Sequence, residues 1–136
     1  KPTPDYYGSV LWKRLMGSKV LSPILPENLP KTLRAYAHCH PQMDGSVTLL
    51  LINLSETDSF AVDFSGRLGK SYELYSLSAG ELLSHDVLLN RQVLSADKNG
   101  NLSSLDGEKS SGAISIAPLS NNFLHFEKAN ISVCDP

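Results

Sequence analysis

The sequence predicts a mainly β fold, an antiparallel β-sandwich preceded by one N-terminal amphipathic helix. Three observations carry that expectation. Apolar residues recur at helical spacing between Pro4 and Met16. From Thr32 onward, short apolar or alternating runs are separated by Gly, Asn, Asp and Ser clusters, the spacing of an all-β sandwich. One run, "VTLLLI" from Val47 to Ile52, is apolar on both faces, as a central strand requires.

The helix is marked at both ends. Thr3 suits the N-cap, Pro4 the first helical position and Asp5 the positive end of the dipole. Tyr7, Leu11 and Leu15 follow at i, i+4 and i+8, flanked by Val10, Trp12 and Met16. Lys13 and Arg14 load the last turn, and Gly17 offers a left-handed stop. Pro23, Pro26 and Pro30 make the next segment a loop, since each lacks a donor and restricts the residue before it. Strands are expected near 33–39, 46–53, 60–64, 70–77, 85–89, 92–95, 113–116, 122–127 and 130–134, with a short one at 19–22. In 33–39, Leu33, Ala35, Ala37 and Cys39 share one face, and Arg34, Tyr36 and His38 the other. Asn90-Arg91 lies where a tight hairpin turn belongs, and the polar tract Asp97 to Gly112 reads as a long connection or a mobile loop. A sandwich buries its own inner faces without a helix, so the apolar side of the helix is expected to pack on a domain outside this chain.

Composition narrows the function classes. The 136 residues, 41% of them hydrophobic, suffice for one domain with a real core. Twelve basic and 14 acidic residues give a net charge of -2, which offers no attraction for phosphates, so nucleic acid is not an expected partner. Residues 1–34 nevertheless hold Lys1, Lys13, Arg14, Lys19, Lys31 and Arg34 against Asp5 and Glu27, a split that hints at two structural units meeting early in the chain. No apolar run approaches the roughly 20 residues of a membrane span. Three N-x-S/T sequons, at Asn53, Asn101 and Asn130, and an even pair of cysteines favour a secretory route.

The motifs that suggest chemistry mostly dissolve on inspection. "YAHCH" sets Cys39 between His38 and His40, but strand alternation sends the histidines to one side and the thiol to the other, and a zinc site lacks its further ligands. A Cys-His nucleophilic pair fails for the same reason. Cys39 and Cys134 are then either two free thiols or one disulfide, and the sequons favour the disulfide. Asp97, Asn99, Asn101 and Glu108 occupy positions 1, 3, 5 and 12 of a calcium loop, yet its glycine position holds Leu102. The acids are scattered over expected turns and edges, and no nucleophile elbow, phosphate loop or dinucleotide fingerprint is present. No metal and no cofactor is expected. Tyr6, Tyr7 and Trp12 could stack on a sugar, although aromatics at helical spacing are more often packing residues. From the residues alone, an autonomous carbohydrate-binding β-sandwich and a structural adhesion-type domain both stay open.

Several stretches in order resemble one family. "PDYYGSVLWKRLMGSKVL" (Pro4 to Leu21), "LRAYAHC" (Leu33 to Cys39), "VTLLLINL" (Val47 to Leu54), "LLSHDVLLN" (Leu82 to Asn90) and "IAPLSNNFLHFEKANISVC" (Ile116 to Cys134) are similar to the C-terminal part of heparanases and heparanase-like glucuronidases, most of all the plant members. The resemblance implies a retaining glycoside hydrolase acting on glucuronosyl linkages, in which a catalytic (β/α)8 barrel precedes a β-sandwich. Residues 1–18 would then be the terminal helix of that barrel, with Val10, Trp12 and Leu15 packing against it, and residues 19–136 the sandwich. The catalytic glutamates would lie upstream of Lys1, because none of Glu27, Glu56, Glu73, Glu81, Glu108 or Glu127 matches a catalytic motif. The resemblance further implies a Cys39–Cys134 disulfide, a sandwich strand donated from before the barrel, and the barrel of the parent protein as partner, through which a glycan or glucuronide substrate is met. It implies a secretory location, whether extracellular, cell-wall, lysosomal, vacuolar or membrane-associated. The basic clusters that heparan sulfate calls for are absent.

Overall fold

A computed structural model describes residues 3–22, 29–64, 67–80, 84 and 86–136. Pro23, Pro26, Glu27, Glu81 and His85 lie outside the described residues, and with them the middle of the expected proline loop and the start of the expected 85–89 strand.

Helix α1 spans Pro4–Leu15, with Thr3 at the N-cap, Pro4 at its first position, Asp5 in the first turn and Lys13 and Arg14 in the last. The strands are β1 (Val20–Leu21), β2 (Leu33–Cys39), β3 (Val47–Asn53), β4 (Phe60–Val62), β5 (Ser71–Ser78), β6 (Leu88–Leu89), β7 (Gln92–Val93), β8 (Glu108–Ser111), β9 (Ile114–Ile116) and β10 (Ser120–Phe126). All named pairings are antiparallel. The large sheet runs β1-β2-β3-β10-β5-β6-β7, with β8 also on β5, and the small sheet is β4-β9.

The large sheet is covered on both faces, which is why β3 and β10 are buried along most of their length. On one face Leu50, Phe123, Tyr75 and Leu77 pack with Tyr7, Leu11, Leu15 and Met16 of the helix. On the other, Leu51, Leu124, Phe126, Leu74 and Tyr72 pack with Phe60, Val62, Ile114 and Ile116 of the small sheet. The expectation that the helix needs a partner outside the chain is therefore corrected: its Tyr7, Leu11 and Leu15 stripe is covered by the chain's own sheet. Burying such side chains contributes about 1.5–3 kcal/mol each.

The helix stop also differs from expectation. Met16 takes an extended conformation at the C-cap, and Gly17 has no left-handed φ. Gly17 is there for close approach: its N–H donates to the Cys39 carbonyl at 2.7 Å, and a Cβ would lie 2.4 Å from that oxygen. The neighbouring helix carbonyls are also satisfied by the sheet. Thr48 Oγ1 donates to Leu15 O at 2.8 Å, and His38 Nδ1–H donates to Gly17 O at 2.6 Å.

Two other expectations are corrected. The tract Asp97 to Gly112 includes strand β8, paired with Ser71–Leu74 of β5, before Gly112 (φ 76) turns the chain into the small sheet. Residues 130–134 form no strand. The chain turns at Asn130 (φ 54) and ends in a 3-10 turn over Ser132–Cys134. The Asn90-Arg91 hairpin turn is present, both residues having positive φ (47 and 73), as a type I′ turn demands. Asn90 does more than turn: its amide accepts from Ser76 N–H and donates to Leu74 O, both at 2.9 Å, filling the gap between β6 and β8 along β5.

Candidate functional site

The end of the large sheet beside the last turn of α1 collects most of the polar groups of interest. The "YAHCH" stretch leads into it, and alternation separates its members. Cys39 lies on the small-sheet side among Val47 and Cys134, and the structure joins Cys39 to Cys134 across 95 residues with Cα atoms 5.4 Å apart. The C-terminal turn is held further by Lys19 Nζ, which donates to Val133 O at 3.1 Å and Asp135 O at 3.3 Å, and by the Gly45 N–H, which donates to Cys134 O at 3.1 Å. The histidines are not bystanders. His38 docks the helix end through Gly17 and meets Trp12 edge-on at 5.1 Å, while His40 stacks on His125 with ring centroids 4.2 Å apart.

Around His125 stand Glu73, directly opposite on β5, and Glu127, two residues beyond it on the same face. One ligand-type atom from each of Glu73, His125 and Glu127 lies within 4.8 Å of the others. Tyr75 Oη donates to Glu73 Oε1 at 2.5 Å, and burial, then that bond, raises the phenol well above its ordinary range. Burial foremost, then the charge of His125, lowers His40 to about 4, and burial also lowers His125, so both imidazoles are held neutral. This cluster escaped the sequence because Glu73 lies 52 residues before His125 and meets His125 and Glu127 only through strand register.

The other residues singled out from sequence divide by exposure. Of Val10, Trp12 and Leu15, only Trp12 is exposed, at 40%; Leu15 is buried in the chain's own core and Val10 packs against that core, so the three do not together face a second domain. Trp12 and Tyr36 (44% exposed) line a groove of about 510 Å³ with Asp5, Ser9, Ile52 and Asn121. Of the three sequon asparagines, Asn53 is the one held inside the fold. It is 1% exposed, its Nδ2 donates to Asp58 O, Ile116 O and Ala117 O, and its Oδ1 accepts from Ser55 N–H. Asn101 and Asn130 are exposed. In the calcium-like tract, Asp97 accepts from the N–H groups of Asn99 and Asn101 and from Asn101 Nδ2, bonds led by Asn101 that lower its pKa, while Glu108 pairs with Arg91 at 3.2 Å. Those groups close a turn and brace an edge.

Fold and site together define a disulfide-stapled, mainly β module with a helix on its large sheet. No protein-family model matches the chain. It is 34% identical over 129 residues to baicalin-beta-D-glucuronidase of Scutellaria baicalensis, covering 91% of this chain and 24% of that protein. It is 31% identical to heparanase-like protein 3 of Arabidopsis thaliana, covering 98% and 30%, and 35% identical to the heparanase of Gallus gallus, covering 69% and 20%. The chain belongs to the heparanase family, as a C-terminal part, and spans about a quarter of the length of the curated relatives it matches. Among solved structures, a glycoside hydrolase family 44 endoglucanase produced by Clostridium acetobutylium aligns with a TM-score of 0.42 and 14% identity, over 72% of this chain and 17% of that one. No helix among the described residues is long and apolar enough to cross a membrane.

Proposed function

We propose that this chain is the non-catalytic C-terminal β-sandwich of a retaining glycoside hydrolase of the β-glucuronidase type, with residues 1–18 lying at the junction to a catalytic (β/α)8 barrel and residues 19–136 forming the supporting domain. What carries the reading is the pairing of family membership with a carboxylate pair, among the described residues, that stands outside both surface grooves. The carboxylates of Glu73 and Glu127 approach each other at about the separation of a retaining pair, but neither of the two surface grooves described above and around Arg91 is lined by them. Glu73 is engaged by Tyr75, and His40 covers His125. The exposed Trp12 and Tyr36 beside the helix are the surface offered to the barrel. Among the described residues the small sheet has two strands, β4 and β9, and its edges are where a strand donated from elsewhere in the parent would add. A secretory route and glycans at Asn101 and Asn130 belong to the same proposal.

A second reading rests on the same groove. Trp12 and Tyr36 flanked by Asp5, Ser9 and Asn121 combine aromatic faces with polar groups, as sugar-binding platforms do. Oxidative labelling of Trp12 and Tyr36 separates the two. In the isolated chain both rings should be labelled whether or not glucuronides or oligosaccharides are added, and in the longer polypeptide both should be protected. Protection by saccharide in the isolated chain, or equal labelling in the longer polypeptide, would overturn the barrel-support reading.

A further inference from the structure

We propose that Glu73, His125 and Glu127 form a binding site for one divalent transition-metal ion of the zinc class. The geometry comes from the sheet. The β5–β10 register sets His125 opposite Glu73, and Glu127 follows in the turn just after β10, so two donors from adjacent strands and one from that turn lie within 4.8 Å of one another. First-shell donors around zinc sit about 2 Å from the ion. Closing that distance around the imidazole calls for rotation of the two glutamate side chains, one half-buried and one exposed.

The histidine is set up as a ligand. Ser46 Oγ donates its only hydrogen to Met43 O at 2.8 Å, so in its 3.0 Å contact with His125 it accepts from Nε2–H. That tautomer leaves the lone pair on Nδ1, and Ser46, fully buried, holds the ring as an outer-shell partner holds a metal-bound imidazole. Tyr75 orients Glu73 in the same manner, and the stacked His40 covers one face of the ring.

Charge points the same way. Two carboxylates lie close together, and among the described residues no lysine or arginine pairs with Glu73 or Glu127, whereas Glu108 pairs with Arg91. One imidazole nitrogen with two carboxylates suits zinc and its neighbours, whereas calcium and magnesium call for all-oxygen shells of six or more donors. A position is left for water or an external ligand. The site is independent of the barrel-support reading, since its residues belong to this chain alone.

The test is a calorimetric titration of the chelator-stripped 136-residue chain with zinc chloride, with magnesium chloride as comparison and circular dichroism to verify the fold of each variant. One zinc per chain should bind, magnesium should not, and the thermal midpoint should rise. Glu127→Gln, at an exposed position that leaves the core intact, should weaken zinc by about tenfold or more. In nitrogen-resolved NMR, the His125 ring should shift on zinc addition and the His38 ring should not. No heat and no change in midpoint, or binding undiminished in both Glu127→Gln and Glu73→Gln, or a shift confined to His38, would overturn the proposal.

Discussion

At the residue scale, the helix end is fixed by one close approach. A Cβ on Gly17 would fall 2.4 Å from the Cys39 carbonyl, so Gly17→Ala must push the helix off the sheet or break the Gly17–Cys39 hydrogen bond. The expected loss is about 1–3 kcal/mol in urea unfolding; an unchanged midpoint would show that the helix end yields freely. His40 gives a pH dependence. Its folded pKa is depressed to about 4 from 6.5, so the unfolded chain takes up the proton first as pH falls. The contribution to stability is present above pH 6.5 and is lost as pH drops towards about 4. His125, Glu127 and Glu73 face the ring, the first opposing its protonation and the two acids favouring it. With chelator present, the thermal midpoint of the native chain should fall more steeply over this interval than that of His40→Gln. Alternation in the sequence separates Cys39 from its two histidines; it holds no sign that His40 would stack on a histidine 85 positions away.

At the element scale, the disulfide and the C-terminal turn form one unit. Closing a loop of 95 residues stabilises by an upper figure of about 4–5 kcal/mol on the chain-entropy view. The double variant Cys39→Ser/Cys134→Ser should lose roughly 2–4 kcal/mol. Hydrogen exchange should quicken first at Ile131 and Gly45, whose N–H groups tie the tail to its neighbours. Elements with an apolar pattern were legible: the i, i+4, i+8 stripe of α1, both faces of β3 and the turn at Asn90-Arg91. Those without one were not. Strand β8 reads Glu108-Lys109-Ser110-Ser111 and shows no apolar alternation because it lies on an edge of β5, with little buried. The expected strand over 130–134 does not form, because the turn at Asn130 and the bond to Cys39 draw Cys134 inward instead.

At the scale of the whole molecule, a large sheet apolar on both faces explains why the helix belongs to this unit, with Leu11 fully buried between them. Leu11→Ala should cost about 2–5 kcal/mol and lower the unfolding midpoint of the entire chain rather than melt the helix alone. Loss of helix signal with an unperturbed sheet would contradict that cooperativity. The proposed supporting role, with no glycosidic chemistry in this unit itself, is tested most directly by hydrolysis of an aryl glucuronide by the 136-residue chain. No turnover above buffer is expected; turnover abolished by Glu73→Gln or Glu127→Gln would contradict the proposal.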